Sequence, residues 1–258
     1  MKQYKAIFSD IDGTLLTSKH EVSKKTKECL KKLKERKTPF ILVSARMPKS
    51  INKIRKEIEI DSPIICYSGG LIVDNNKYIF DIGIDISKAV EIKKYINKNW
   101  NDISISCYSY DNWIVDKIEN KWVNEEMNIT QIKPIEGNII NICGNKEGIH
   151  KILCIGNKDD IEEIRKKLIK EYKDLSIYKS KDNYLEIMSK QVSKSKAIEF
   201  LCNEMDINIK DIIAIGDNFN DADMIKTAGK GIAMGNAPDD VKVISNELTD
   251  TNDNDGVA

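Results

Sequence analysis

Four short apolar runs, each ending abruptly in polar residues, limit what this chain can fold into. They are Tyr4-Lys5-Ala6-Ile7-Phe8-Ser9 before Asp10, Pro39-Phe40-Ile41-Leu42-Val43 before Ser44, Pro63-Ile64-Ile65-Cys66-Tyr67 before Ser68-Gly69-Gly70, and Asp211-Ile212-Ile213-Ala214-Ile215 before Gly216-Asp217. Continuous apolar runs of this length read as strands buried on both faces, as a parallel sheet requires. Amphipathic stretches separate them. Val22, Thr26, Leu30 and Leu33 line one face over residues 23–36, and Ile51, Ile54 and Ile58 another after Pro48, a residue suited to a first helical turn. Strand and helix alternate, so the expected class is α/β, a doubly wound parallel sheet. In such sheets ligands gather where the C-terminal ends of the strands meet. Asp10, Asp12, Ser44 and Asp217 all arrive there.

The texture changes after about Asp81. A helix is expected over 87–99, half-buried strands over 103–108 and 113–116, a further strand over 151–155, a helix from 159 to 172 and a strand over 175–178. In the second of these helices Asp159, Asp160, Glu162 and Glu163 precede Lys166, Lys167 and Lys170, matching the helix dipole. The block reads as an inserted α+β domain over 84–186, leaving 1–83 and 187–258 as the doubly wound core. The core pattern resumes with a helix carrying Ile198, Leu201 and Met205, and with a last short strand over 230–234.

Composition excludes several classes. Lys plus Arg (41) equals Asp plus Glu (41), so no bulk charge draws the chain to a nucleic-acid polymer or a membrane surface. Six cysteines form no C-x-x-C pair and sit mostly in apolar segments, so buried thiols are expected. Two histidines, His20 and His150, leave a histidine-based zinc site or a Ser-His-Asp triad without support. The first apolar run is interrupted at Asp10, unlike a secretory leader, and no stretch reaches membrane-spanning length. The expectation is a soluble cytoplasmic protein, a monomer or weak homo-oligomer.

The first strand runs into Asp10-Ile11-Asp12-Gly13-Thr14. Side chains alternate along a strand, so the two carboxylates leave its end on one side, where they repel unless a cation sits between them. Taken alone, Asp-x-Asp-Gly is equally a polar turn or a piece of a calcium loop, but the other ligands of that loop are missing. Farther on, Lys194 shares a helix face with Ile198 and Leu201 whereas Lys196 does not. An inward lysine needs an anionic partner, and an aspartate with a phosphate would serve. Asp221 stands where a helix start favours an acid anyway.

These segments resemble the haloacid-dehalogenase-like hydrolases, specifically the Cof-type phosphatases with an inserted type IIB α/β cap. The resemblance covers nearly the whole chain. It rests on Phe8-Ser9-Asp10-Ile11-Asp12-Gly13-Thr14-Leu15, Val43-Ser44-Ala45-Arg46, Val192-Ser193-Lys194 and Ile215-Gly216-Asp217-Asn218-Phe219-Asn220-Asp221, in that order. Ala233-Met234-Gly235-Asn236-Ala237 and Asp255-Gly256-Val257-Ala258 add to it.

The resemblance implies Mg²⁺-dependent hydrolysis of small phosphate monoesters, such as a sugar phosphate, pyridoxal phosphate, a flavin mononucleotide or a nucleotide. Asp10 would be the nucleophile and carry an aspartyl phosphate, with Asp12 as acid and base. Mg²⁺ would be held by the Asp10 and Asp217 carboxylates and the Asp12 main-chain carbonyl. Lys194, Ser44 and Asn220 would bind phosphate; as an alternative, Ser44 caps the helix near Pro48. Arg46 either joins in binding substrate or pairs with a loop carboxylate. Asp221 would stand behind these groups and position metal waters or Lys194. The inserted domain would choose the leaving group, with Tyr108, Tyr110, Trp113 and Tyr184 as candidate contacts. Alternatives are a phosphomutase of the same superfamily and a non-catalytic phospho-aspartate switch. The chain departs from the family pattern in having Ser68-Gly69 where Asn-Gly is usual. It also stops at Ala258, where members usually continue into a final helix.

Overall fold

The structure is a computed structural model and describes residues 3–144 and 148–258. It divides into two compact units, one formed by the chain up to Phe80 and from Ser193 to Ala258, the other by Asp81–Val192. In chain order the first unit begins with β1 (Ala6–Ser9), α1 (Lys24–Glu35), β2 (Phe40–Val43), α2 (Pro48–Glu57), β3 (Ile64–Cys66), β4 (Leu71–Asp74) and β5 (Lys77–Asp81). The second unit carries α3 (Ile86–Asn99), β6 (Ser104–Ser109), β7 (Asn112–Val115), α4 (Lys121–Thr130), β8 (Ile135–Glu136), α5 (Ile139–Cys143), β9 (Lys151–Ile155), α6 (Lys158–Glu171), β10 (Leu175–Lys181) and β11 (Tyr184–Ser189). The first unit then resumes with α7 (Lys194–Glu204), β12 (Ile212–Gly216), α8 (Ala222–Thr227), β13 (Lys230–Ala233), α9 (Asp239–Val243) and β14 (Glu247–Leu248).

The first unit is built on an eight-stranded sheet in the order β14-β13-β12-β1-β2-β3-β4-β5. The pairings from β14 to β3 are parallel, and β4 turns back antiparallel to β3. The four apolar runs therefore form the expected doubly wound sheet. Ser9 at the end of β1 lies in register with Ile215 of β12 and Leu42 of β2. Successive strands leave β1 in opposite directions, through β2 and β3 on one side and from β12 to β14 on the other. The sheet thus has its switch point where Asp10 and Asp217 emerge. Phe8, Ile41, Val43, Ile65 and Ala214 pack against Ile198, Leu201 and Met224 in a core that holds these strand ends rigid.

The helices start and stop for legible reasons. Ser23 caps α1 by accepting from the Thr26 amide, and Lys32 and Lys34 stand in its last turn. Pro48 opens α2 behind Met47, so Ser44 is not that helix's cap. The hairpin β4–β5 has no counterpart in the sequence reading. Its connection is Asn75-Asn76, both at positive φ (44° and 62°), in a two-residue turn that asparagine tolerates.

The second unit has its own six-stranded sheet in the order β10-β11-β9-β6-β7-β8, antiparallel except for β7 with β8. Ile92 and Ile96 of α3 and Ile161, Ile164 and Leu168 of α6 pack on one face, against Ile105, Cys107, Ile152, Cys154, Leu185 and Ile187. Tyr108 and Trp113 stack 5.9 Å apart and are buried, as is Tyr184. Tyr110 donates its hydroxyl to Asp81. All six cysteines are free thiols, five of them buried. No helix of the described residues is long and apolar enough to cross a membrane.

Candidate active site

The site grows out of the turn after β1. The Asp10 amide donates to the Ile215 carbonyl (2.9 Å), extending the β1–β12 ladder by one bond and fixing the Asp10 side chain at the strand ends. Gly13 follows at φ +81°, and a Cβ there would lie 2.4 Å from Asp217 Oδ2. Only glycine lets the turn pass this close to the carboxylate. Thr14 donates its hydroxyl to Asp217 Oδ1 (2.6 Å), and Asn236 Nδ2 donates to the Gly13 carbonyl (2.9 Å).

Lys194, the first residue of α7, is 1% exposed. Its ammonium donates to Asp10 Oδ1 and to Asp221 Oδ1, each at 2.5 Å. Asp221 Oδ2 accepts the backbone amides of Asp217 and Asn218, both at 3.0 Å. Both Asp221 oxygens are therefore occupied, one orienting Lys194 and the other the turn that carries Asp217. Burying three carboxylates with one ammonium leaves an excess of negative charge.

The titration behaviour follows from that excess. Burial and then the Asp221 carboxylate push Asp10 well above the ordinary carboxylate range, against the pull of Lys194. Asp217 is pushed up to about 6 by burial, which outweighs the Thr14 hydrogen bond that lowers it. Burial works to lower Lys194, but Asp10 and Asp221 hold it above the usual lysine value.

Carboxylate oxygens of Asp10, Asp217 and Asp221 lie within 4.8 Å of one another. An all-oxygen, negatively charged, buried set of this kind fits a small hard divalent cation. The cation would also relieve the charge excess.

Asp12 behaves differently. Its side chain is half exposed, and Arg46 grips it with two bonds, Nε to Oδ2 at 2.8 Å and Nη2 to Oδ1 at 2.6 Å. Arg46 Nη1 also reaches Ser50 Oγ at 3.3 Å. Of the two employments open to Arg46 in the sequence, the structure displays the loop-carboxylate pair. Ser44 is buried, and its Oγ accepts the Arg46 amide at 3.2 Å, so its hydroxyl hydrogen is left to donate elsewhere. Asn220 lies exposed on the Phe219–Asp221 turn and is not part of the Lys194 network. The structure thus brings Asp10, Lys194, Asp217 and Asp221 into one network and sets Asp12 with Arg46 beside Ser44.

Two participants escaped the sequence reading, Thr14 and Asn236. Thr14 had a signal, a hydroxyl directly after an acid-rich glycine turn. Asn236 stood in one of the family-like segments, but its task of holding Gly13 exists only in three dimensions.

Comparison with known proteins shows the family of the chain. The family model of the haloacid dehalogenase-like hydrolases matches residues 7–258. The chain belongs to that family, and it is a phosphatase-type hydrolase. A Haemophilus influenzae protein provisionally named a phosphatase is 36% identical over 256 residues, covering 99% of this chain and 96% of the relative. A Bacillus subtilis relative named 5-amino-6-(5-phospho-D-ribitylamino)uracil phosphatase is 29% identical, covering 98% of this chain and 96% of its own. A crystal structure of a haloacid dehalogenase-like hydrolase from Bacteroides thetaiotaomicron superposes with a TM-score of 0.89 at 28% identity, covering 99% of this chain and 97% of that one.

Proposed function

We propose that the protein hydrolyses small phosphate monoesters in two successive displacements at phosphorus, with Asp10 as the nucleophile. The observation that carries this reading is the buried Asp10 at the switch point of the sheet, with one carboxylate oxygen held by Lys194. That bond leaves Oδ2 to attack phosphorus. The phosphorus–oxygen bond to the leaving alcohol breaks as the bond to Asp10 forms, giving an aspartyl phosphate. Water then attacks the same phosphorus and releases Asp10 and orthophosphate.

Asp12 gives a proton to the leaving alcohol in the first step and takes one from water in the second. Lys194 and the free hydroxyl hydrogen of Ser44 are donors for the phosphoryl oxygens, and Asn220 is assigned to phosphate as well. Such donors act best when held rigidly before the reaction begins. Asp221 supplies that rigidity to Lys194. The Asp10 and Asp217 carboxylates and the Asp12 main-chain carbonyl would hold Mg²⁺, which neutralises phosphoryl charge when bound. We assign the choice of leaving group to the Asp81–Val192 unit.

Both relatives described above by activity are called phosphatases, which favours hydrolysis over phosphoryl transfer within one substrate. The Bacillus name adds a sugar-alcohol phosphate on a heterocycle to the candidate esters, beside sugar phosphates, pyridoxal phosphate, flavin mononucleotide and nucleotides. The test is orthophosphate release from a panel of such esters, with Mg²⁺ and with excess chelator. Release from at least one ester, abolished by chelation, is expected. Failure on every ester, or hydrolysis indifferent to chelation, contradicts the reading.

Arg46 has a defined part in this scheme, that of aiming Asp12. Arg46→Ala is expected to lower kcat by roughly 10–100-fold, the size typical of a misplaced acid–base group. Its melting temperature should barely move, because a half-exposed ion pair contributes only about 0–1 kcal/mol. A variant with wild-type kcat and a raised KM would show instead that Arg46 binds substrate.

A further inference from the structure

The loop after β3 has a geometry that the proposed mechanism does not use. Tyr67, Ser68 and Gly69 follow one another at φ +51°, +54° and +103°. Two consecutive non-glycine residues in the left-handed region are costly, and such strain persists only where the surroundings enforce it. Here the enforcement is visible. The Tyr67 amide donates to the Arg46 carbonyl (3.1 Å), and the Ser68 amide donates to the Ser44 carbonyl (2.9 Å). On the other side, a Cβ on Gly69 would lie 2.2 Å from the Ser193 carbonyl oxygen. The loop is therefore clamped between the segment bearing Ser44 and Arg46 and the residue preceding Lys194.

Within this clamp Ser68 is 7% exposed, and its hydroxyl has no hydrogen-bond partner among the described residues. A buried polar atom left unsatisfied in a native structure calls for an explanation, and an absent ligand is one. The main chain of Ser68 is already spent on Ser44, and the strained backbone holds the side chain in one place.

We propose that Ser68 is a further substrate-binding residue, whose hydroxyl donates a hydrogen bond to an oxygen of the bound phosphate ester. This rests on the phosphatase reading. It explains why the loop keeps a polar side chain at a buried, strained position. It also makes the strain useful, since a donor fixed beforehand loses little freedom on binding.

The proposal separates activity from stability, because in the free protein the hydroxyl makes no bond to lose. Ser68→Ala is expected to melt at or slightly above the wild-type temperature. Its kcat/KM for the best ester of the panel should fall by on the order of 10–100-fold, the effect of removing a hydrogen bond to a charged group. Ser68→Asn, which tolerates left-handed backbone and keeps a donor, should recover part of that loss. Inhibition by orthophosphate locates the contact. A weaker inhibition in Ser68→Ala places the hydroxyl on the phosphoryl group, and an unchanged one places it on the leaving-group side. A kcat/KM within twofold of wild type overturns the proposal, as does a loss of activity matched by a loss of melting temperature. Both comparisons presuppose a wild-type protein that hydrolyses the ester, so failure of the phosphatase reading itself shows earlier, in the panel.

Discussion

Asp10→Asn is expected to stay folded and to hydrolyse the best ester at no more than about one ten-thousandth of the wild-type rate, the scale seen when an enzyme loses its nucleophile. The amide keeps the shape of the side chain and an oxygen to accept from Lys194, but it has no carboxylate to attack phosphorus. Stability should hold or rise. The ionised Asp10 is buried beside Asp221, and burial and that repulsion already push it well above the ordinary carboxylate range. Neutralising it removes one charge from a network with an excess of them. The check is kcat with saturating Mg²⁺ beside a thermal melt of the same sample. Turnover above about one hundredth of wild type, at an unchanged melting temperature, would remove Asp10 from the role of nucleophile.

Lys194→Met should fail on both counts. Methionine fills a similar volume but leaves Asp10 and Asp221 buried without the cation that both of them touch. Breaking a buried ion pair from one side typically costs about 3–5 kcal/mol, which for a chain of this size lowers the melting temperature by roughly 10 °C. Loss of the same donor from the phosphoryl site costs a further factor of about 10²–10³ in rate.

The stability deficit should shrink on acidification. A carboxylate whose folded pKa is raised binds its proton more tightly in the folded state, so falling pH favours the fold through that group. Asp10 is already such a group, and removing Lys194 raises it further. Melts of wild type and variant across the acid range test this. A deficit that stays constant or grows as pH falls would show that Lys194 stabilises by packing and not by charge.

Much of this was written locally in the chain. The apolar runs around Phe8, Ile41, Ile65 and Ile213 carry their own signal, since a strand buried on both faces uses an unbroken run of such residues. The family resemblance, drawn from four motifs in order, agrees with the family match over residues 7–258. Lys194 could be chosen over Lys196 from helical spacing alone, and Lys194 is indeed the buried one. The β4–β5 hairpin was missed although Asn75-Asn76 between two apolar runs is a turn signal. β11 was missed as well: Glu186 interrupts its apolar run, and the strand is stabilised by its pairing with β9 and β10.

The rest depended on partners distant in sequence. The Asp12–Arg46 pair joins residues 34 positions apart. Thr14 meets Asp217 across 203 positions, and Asn236 meets Gly13 across 223. The strained Ser68 backbone is set by contacts with Ser44 and Ser193, and a serine at φ +54° announces nothing in the sequence. Local propensity and periodicity do not encode such pairings.

The central claim, an aspartyl phosphate at Asp10, makes the reaction two displacements instead of one. Each in-line displacement inverts phosphorus. The most direct measurement therefore uses an ester whose phosphoryl group is made chiral with the stable isotopes of oxygen; the wild-type enzyme transfers that group to an acceptor alcohol, and the handedness at phosphorus of the new ester is then read. Overall retention of configuration is the result predicted here. Inversion would mean that water or the acceptor attacks the ester directly, and Asp10 would not be the nucleophile.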